Sequence, residues 1–285
     1  MTAQILDGEL VAASIKAELA VRVQALADRG ITPGLGTILV GDDGPSANYV
    51  AMKHRDCAEL GITSQGEHLS SSATLSEVLA VVDRYNADPG IDAVLIQYPF
   101  PDGLDYETAL MRLDPAKDAD GLHPVNLGRL VMGTEAPIAC TPAGIQALLL
   151  YYEIPIAGRH VVIVGRGLTI GRPLANLLAL KQPGANAAVT VVHTGVADLG
   201  AYTRQADILI SAAGTPGLIT PDMVKPGAVV VGAGVTYEGR TLRPDVVDEV
   251  AEVAGWMSPR LGGVGPMTRA LLYANTVAAA EHSAG

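Results

Sequence analysis

Aromatic side chains and charge are what this sequence has least of. One Phe and one Trp stand beside nine Tyr, 4% of the chain together, too few for the stacking platforms that hold single-stranded nucleic acid. Charged residues make up 17% against a usual ~25%, which suits a chain that hides surface against a partner subunit. Its basic residues form no cluster and its net charge is −11, a poor fit to nucleic acid or an anionic membrane. Only two cysteines occur, Cys57 and Cys140, with no CxxC pair. That excludes a disulfide framework and a CxxC metal or redox site, and it points to the cytoplasm. No apolar run approaches the ~18 residues of a membrane span. Met1 to Asp7 lacks the basic start and apolar stretch of a signal peptide.

What is present is an alternation of amphipathic helix and short apolar strand, which predicts an α/β fold with parallel strands. The length, 285 residues with 49% hydrophobic, is about twice a typical domain of ~150 and predicts two domains. Helices are expected over 8–28, 46–60 and 76–86, with strands over 35–40 and 91–98. Thr141-Pro142 reads as N-cap and first residue of a helix running to Tyr152. After about residue 140, strand-like runs at 160–164, 188–192, 207–211 and 228–231 follow the cadence of a doubly wound nucleotide-binding sheet. A last helix is expected over 266–282.

Val161 to Val164 runs into Gly165-Arg166-Gly167-Leu168-Thr169-Ile170-Gly171. A strand, a glycine turn and a helix start form the context in which glycines admit phosphate close to the backbone and the helix N-terminus favours an anion. The spacing is one residue longer than the standard dinucleotide fingerprint, and a plain tight turn is the competing reading. NAD sites place a carboxylate after the second strand. Here that strand ends Val192-His193-Thr194-Gly195, and Arg166 is available for an extra phosphate, so NADP is favoured over NAD.

On a wheel of the 46–60 helix, with Tyr49 at zero, Lys53 falls at about 40°, Leu60 at about 20° and Cys57 at about 80°. Lys53 thus lies in the apolar arc. It either snorkels or occupies a site, where desolvation would lower its pKa and suit acid–base work. Gln97 closes an apolar strand, the end at which α/β sheets hold ligands. Asp118 and Asp120 are each either a solvated acidic turn or part of a site; the spacing fails a calcium loop. Gly262-Gly263-Val264-Gly265-Pro266 admits either a planar ligand or a simple connector.

At these residues the chain resembles the bifunctional methylenetetrahydrofolate dehydrogenase/methenyltetrahydrofolate cyclohydrolase family. The resemblance spans essentially the whole chain in the family's order. Its motifs are Tyr49-Val50-Ala51-Met52-Lys53, Gln97-Tyr98-Pro99-Phe100-Pro101, Pro115 to Gly121, Cys140-Thr141-Pro142, the glycine loop, and Gly262 to Thr268. Together they are highly specific.

The resemblance implies a catalytic folate domain over 1–139 plus 266–285, a Rossmann-type NADP domain over 140–265, and a C-terminal helix returning to the first. It implies a folate cleft between the domains and a homodimer through the NADP domain. The activity implied is NADP-dependent oxidation of methylenetetrahydrofolate followed by hydrolysis to formyltetrahydrofolate, in one-carbon metabolism and purine biosynthesis, with no metal. Lys53 matches the catalytic lysine and Tyr49 the tyrosine stacking on the folate's aminobenzoyl ring. Gln97 matches the glutamine tuning the lysine, and Asp120 the aspartate gripping the pterin. Gly263, Val264, Gly265 and Pro266 match the folate-lining loop, while Gly165, Arg166, Gly167, Thr169, Thr194 and Val235 match cofactor positions. Three departures stand out: Gly167 where the family commonly has Ser, Gly232 where it often has Asp, and Leu261 where it has Pro. The competing readings are a two-domain NADP dehydrogenase of shikimate-dehydrogenase type and a nucleotide-sensing module.

Overall fold

The computed structural model describes residues 2–238 and 241–284. The chain begins β1 (Gln4–Ile5), α1 (Gly8–Ala27), β2 (Gly34–Val40), α2 (Gly44–Leu60), β3 (Thr63–Leu69), α3 (Leu75–Ala87), β4 (Ala93–Ile96), α4 (Tyr106–Arg112) and α5 (Pro124–Met132). It continues α6 (Cys140–Tyr151), β5 (His160–Val164), α7 (Gly171–Ala179), β6 (Ala188–Val192), α8 (Leu199–Thr203), β7 (Ile208–Ser211), β8 (Val229–Gly232), β9 (Val235–Glu238), β10 (Thr241–Pro244), β11 (Trp256–Met257) and α9 (Val264–Ser283). The α/β architecture is as expected, and both larger sheets are parallel throughout.

Two compact units result. One comprises Ser14–Arg129, Glu135–Ile138 and Arg269–Gly285 and carries the three-stranded sheet in the order β3-β2-β4. Its central strand β2 is buried at every residue, as a strand flanked on both edges and covered on both faces must be. The second comprises Met1–Ala13, Leu130–Thr134 and Ala139–Thr268 and carries the six-stranded sheet in the order β1-β11-β8-β7-β5-β6. In β5, Val161 to Val164 have no exposed surface. This division differs from the one expected: the first residues group with the six-stranded sheet, because β1 pairs with β11 through Gln4↔Trp256 and Ile5↔Met257. The tail joins the first unit from Arg269 onward.

Local chemistry sets the helix ends. Asp43 caps α2 by accepting from the Ser46 N–H at 2.9 Å, and Gly61 ends it at φ 75°. Thr74 and Glu77 form a reciprocal capping box on α3. The expected Thr141 cap is corrected. α6 begins at Cys140 after Ala139, which makes no side-chain cap bond. Thr141 is already inside the helix, and its hydroxyl pairs with the Thr268 hydroxyl at 2.9 Å.

Asp56 ties α1, α2 and α9 together. Its carboxylate lies 2.7 Å from Lys16 Nζ and 3.1 Å from Arg269, and accepts from the Tyr273 hydroxyl at 2.9 Å. Burial first, then the Asp56 charge, pushes the neighbouring Cys57 thiol up to about 12. Asp56→Ala would leave two cations facing an apolar gap and is expected to destabilise the protein by about 3 kcal/mol in urea unfolding; a change under about 0.5 kcal/mol would show the cluster to be ornamental.

Candidate functional site

α2 carries Lys53 on its buried side, only 7% exposed. β4 stops at Ile96, two residues short of the expected end, and Gln97 follows it, its N–H still bonded to the Ile38 carbonyl at 2.8 Å. Lys53 Nζ donates to Gln97 Oε1 at 2.9 Å, and Gln97 Nε2 donates to the Tyr98 carbonyl at 2.7 Å. The second bond orients the amide so that its oxygen faces Lys53 Nζ. Lys53 Nζ also lies 6.0 Å from the Tyr49 ring centroid, the outer edge of cation–π range. Of the two readings of Lys53, the structure therefore favours a held amine over a snorkelling one.

His54 faces β2 and β3, with its ring nitrogens 3.0 Å from Thr37 Oγ1 and 2.7 Å from Ser64 Oγ. Burial, then the Lys53 charge, pushes this imidazole below its ordinary value. It anchors the helix that presents Lys53.

Asp120 is half-buried in the turn between α4 and α5. The Tyr106 phenol is pushed far up by burial, then by the charges of Asp120 and Asp118, so it stays a neutral donor. The Tyr106 ring stacks edge-on against Tyr98 at 5.1 Å and Phe100 at 5.2 Å. Asp118 is no solvated turn. It is 2% exposed and accepts from the Gly121 N–H at 3.0 Å, the His123 N–H at 2.7 Å and Asn126 Nδ2 at 3.0 Å. It builds the turn from which Asp120 projects. Tyr49, Lys53, Gln97 and Asp120 all belong to one unit.

The remaining expected residues belong to the other. Gly165 has φ 129°, and a Cβ there would lie 2.2 Å from the Ala212 carbonyl oxygen. A Cβ on Gly171 would lie 2.2 Å from the Gly165 carbonyl oxygen. The strand–loop–helix turn thus closes as tightly as phosphate approach requires. No side chain caps α7, and Arg166 and Gly167 are exposed while Thr169 is half-buried. After β6, His193 Nδ1 accepts from the Gly195 N–H at 3.1 Å, Thr194 is exposed, and the first carboxylate is Asp198, which caps α8. Val235 opens β9 and is exposed. These residues fit a dinucleotide with an extra phosphate.

Gly167 differs from its neighbours, since a Cβ there meets nothing within 4 Å. Gly167→Ser is expected to fold normally and to tighten NADP binding by about threefold, as one added hydroxyl hydrogen bond would, in an equilibrium titration; weaker binding would place that loop position away from the phosphates.

In the 262–266 segment, the glycines accommodate the chain itself. The Gly262 carbonyl accepts from the Gly8 and Glu9 N–H groups at 2.8 and 3.1 Å, and a Cβ on Gly263 would lie 2.4 Å from the Pro259 carbonyl oxygen. Val264 already begins α9, and Leu261 is exposed.

A cavity of about 280 Å³ lies elsewhere, at the strand starts of the six-stranded sheet beside Arg159, Lys225, Asp207 and Trp256. Lys225 there pairs with Asp207 at 2.7 Å, and the glycine loop is at the opposite ends of these strands. Among the described residues, no group of three His, Cys, Asp or Glu side chains is placed to hold a metal, and no helix is long and apolar enough to cross a membrane.

Comparison with known proteins shows the family. The family model described as tetrahydrofolate dehydrogenase/cyclohydrolase, catalytic domain, matches residues 6–120, and that family's NAD(P)-binding domain matches residues 139–284. The bifunctional protein FolD of Syntrophotalea carbinolica is 59% identical over 284 residues, covering 100% of this chain and 98% of its own. The crystal structure of the bifunctional FolD of Campylobacter jejuni is 40% identical with a TM-score of 0.94, covering 99% of each chain. The Trypanosoma brucei methylenetetrahydrofolate dehydrogenase-cyclohydrolase, solved with NADP cofactor and inhibitor, is 34% identical with a TM-score of 0.94, covering 100% of this chain and 99% of its own. Both of the family's domains are thus matched in order along the chain, and the chain belongs to the tetrahydrofolate dehydrogenase/cyclohydrolase family.

Proposed function

We propose that this enzyme oxidises 5,10-methylenetetrahydrofolate to the 5,10-methenyl form with NADP and hydrolyses that product to 10-formyltetrahydrofolate. The observation that carries the reading is the buried Lys53 held at 2.9 Å by an oriented Gln97. An amine fixed there takes a proton from water adding to the cationic one-carbon bridge and returns one to the departing ring nitrogen. Gln97 holds one N–H of Lys53 and leaves the amine's direction set. Tyr49 offers a flat face for the aminobenzoyl ring, and Asp120 accepts from pterin N–H groups. Gly165, Arg166, Gly167, Thr169, Thr194 and Val235 hold the nucleotide, with Arg166 on its extra phosphate. Bound NADP supplies the hydride acceptor, and the scheme requires no metal. The Gly263, Val264, Gly265 and Pro266 segment is assigned to the folate side as the family pattern suggests.

We assign the catalytic role to the unit containing β2 and the nucleotide role to the unit containing β5. A homodimer through the nucleotide unit is supported by β6. Among the described residues this strand has a pairing partner on one side only, and Val191, Leu150 and Tyr151 are exposed. Cys57 and Cys140, both buried and in no disulfide, suit a reducing cytoplasm, and the formyl product suits one-carbon supply to purine biosynthesis. The shikimate-dehydrogenase type is not favoured, because the catalytic-domain match covers the Lys53 and Gln97 unit.

The test uses 5,10-methenyltetrahydrofolate in buffer without nicotinamide. The protein is expected to accelerate its hydrolysis above the spontaneous rate, and loss of absorbance no faster than buffer would overturn the hydrolase half. In the oxidation, KM for NADP is expected to lie below KM for NAD; the reverse order would remove the role given to Arg166.

A further inference from the structure

Asp245 has no exposed surface and no part in the scheme above, yet its carboxylate is among the most heavily bonded groups in the chain. Oδ2 accepts from the Ser211 hydroxyl at 2.9 Å, the Ala213 N–H at 2.7 Å and the Gly214 N–H at 3.1 Å. Oδ1 accepts from the Thr215 N–H at 2.8 Å. Three successive backbone donors converge on one anion, the arrangement that elsewhere captures a free phosphate or carboxylate. Here the chain supplies its own anion and so freezes the turn that leaves β7.

That turn touches both other strand ends of the nucleotide site. The Ala212 carbonyl is the group that would meet a Cβ on Gly165 at 2.2 Å, so the turn sets the floor under the glycine loop. The Gly214 carbonyl accepts from the Thr236 hydroxyl at 2.9 Å, one residue after Val235. Gly234 lies so close that a Cβ would sit 1.9 Å from Asp245 Oδ2. The ends of β5, β7 and β8, three adjacent strands, are therefore indexed to one carboxylate. Ligands in such sheets lie beyond these carboxyl ends.

We infer that Asp245 is the positioning residue of the nucleotide site, holding the 212–215 turn and, through it, the glycine loop and Val235 at the heights that NADP needs. The inference rests on the nucleotide assignment made above. Asp245 itself touches no ligand. Asparagine in its place keeps the shape but turns an N–H₂ toward backbone N–H donors, so the turn loses its anion and shifts.

The test is an equilibrium NADP titration of the full-length protein with KM and kcat measured on the same samples. Asp245→Asn is expected to raise both Kd and KM for NADP about tenfold, with kcat at saturating NADP within about twofold. Ser211→Ala removes one of the donors and leaves the backbone three, so a smaller rise of about two- to threefold is expected. This second variant keeps the test decisive if the first fails to fold. Unchanged NADP Kd in the folded variants, with only a lowered Tm, would overturn the inference while leaving the nucleotide assignment intact. A wild-type protein that binds no NADP would overturn that assignment and the inference with it.

Discussion

Lys53→Ala is expected to slow methenyl hydrolysis by at least about a hundredfold, the range in which a positioned acid–base group contributes, while NADP Kd stays within about twofold. The reasoning is geometric. Lys53 is buried, its Nζ is held by Gln97 Oε1, and the Gln97 amide is itself fixed by the Tyr98 carbonyl. Alanine removes the amine and leaves Gln97 Oε1 without that donor. Because α2 keeps its Asp43 cap and the His54 bonds to Thr37 and Ser64, the helix itself is expected to persist, which far-ultraviolet circular dichroism checks. Rapid hydrolysis by a folded Lys53→Ala protein would remove this residue from the chemistry.

Gly171→Ala carries the second large effect and strikes the other activity. The added Cβ would lie 2.2 Å from the Gly165 carbonyl oxygen, a contact relieved only by moving one backbone segment off another. Strain of about 1–3 kcal/mol follows from such overpacking. NADP affinity is expected to fall by about a hundredfold as the loop opens, and the dehydrogenase rate at modest NADP falls with it. Methenyl hydrolysis uses no nicotinamide and resides with Lys53, so it is expected to survive within about threefold. Equilibrium titration and the two activity assays on one preparation check this. Equal loss of both activities would mean that the substitution unfolds the chain.

The parts of this account that were legible in the sequence are those decided by local chemistry. A strand, two close glycines and a helix start needed no tertiary information to be read as a phosphate-type loop. Lys53 announced itself because a charged residue in an apolar arc conflicts with the helix around it. Asp56 lies in the same arc, at about 340° on the same wheel, and sequence reasoning passed over it. Its partners Lys16, Arg269 and Tyr273 are distant along the chain, so nothing local marks it. Asp245 was missed for the same reason, its donors lying some thirty residues upstream. Asp118 was visible but ambiguous, since a turn aspartate looks alike whether it faces water or three N–H groups.

Strands divide in the same way. β5 and β8 are apolar runs and read as such, whereas β3, Thr-Ser-Gln-Gly-Glu-His-Leu, has no apolar alternation. It exists because seven of its residues pair with β2, a tertiary cause overriding propensity. β1 and β11 are two residues each, too short for any periodicity, and their pairing is what draws the N-terminus into the nucleotide unit.

The central claim is that one chain performs an oxidation and then a hydrolysis on the same one-carbon bridge. The most direct measurement supplies wild-type protein with 5,10-methylenetetrahydrofolate and NADP and follows reduced nicotinamide together with the methenyl and formyl products. The account predicts one reduced nicotinamide for each methylene group consumed, with the carbon recovered as the methenyl and then the 10-formyl form. No reduced nicotinamide with either NADP or NAD would contradict it.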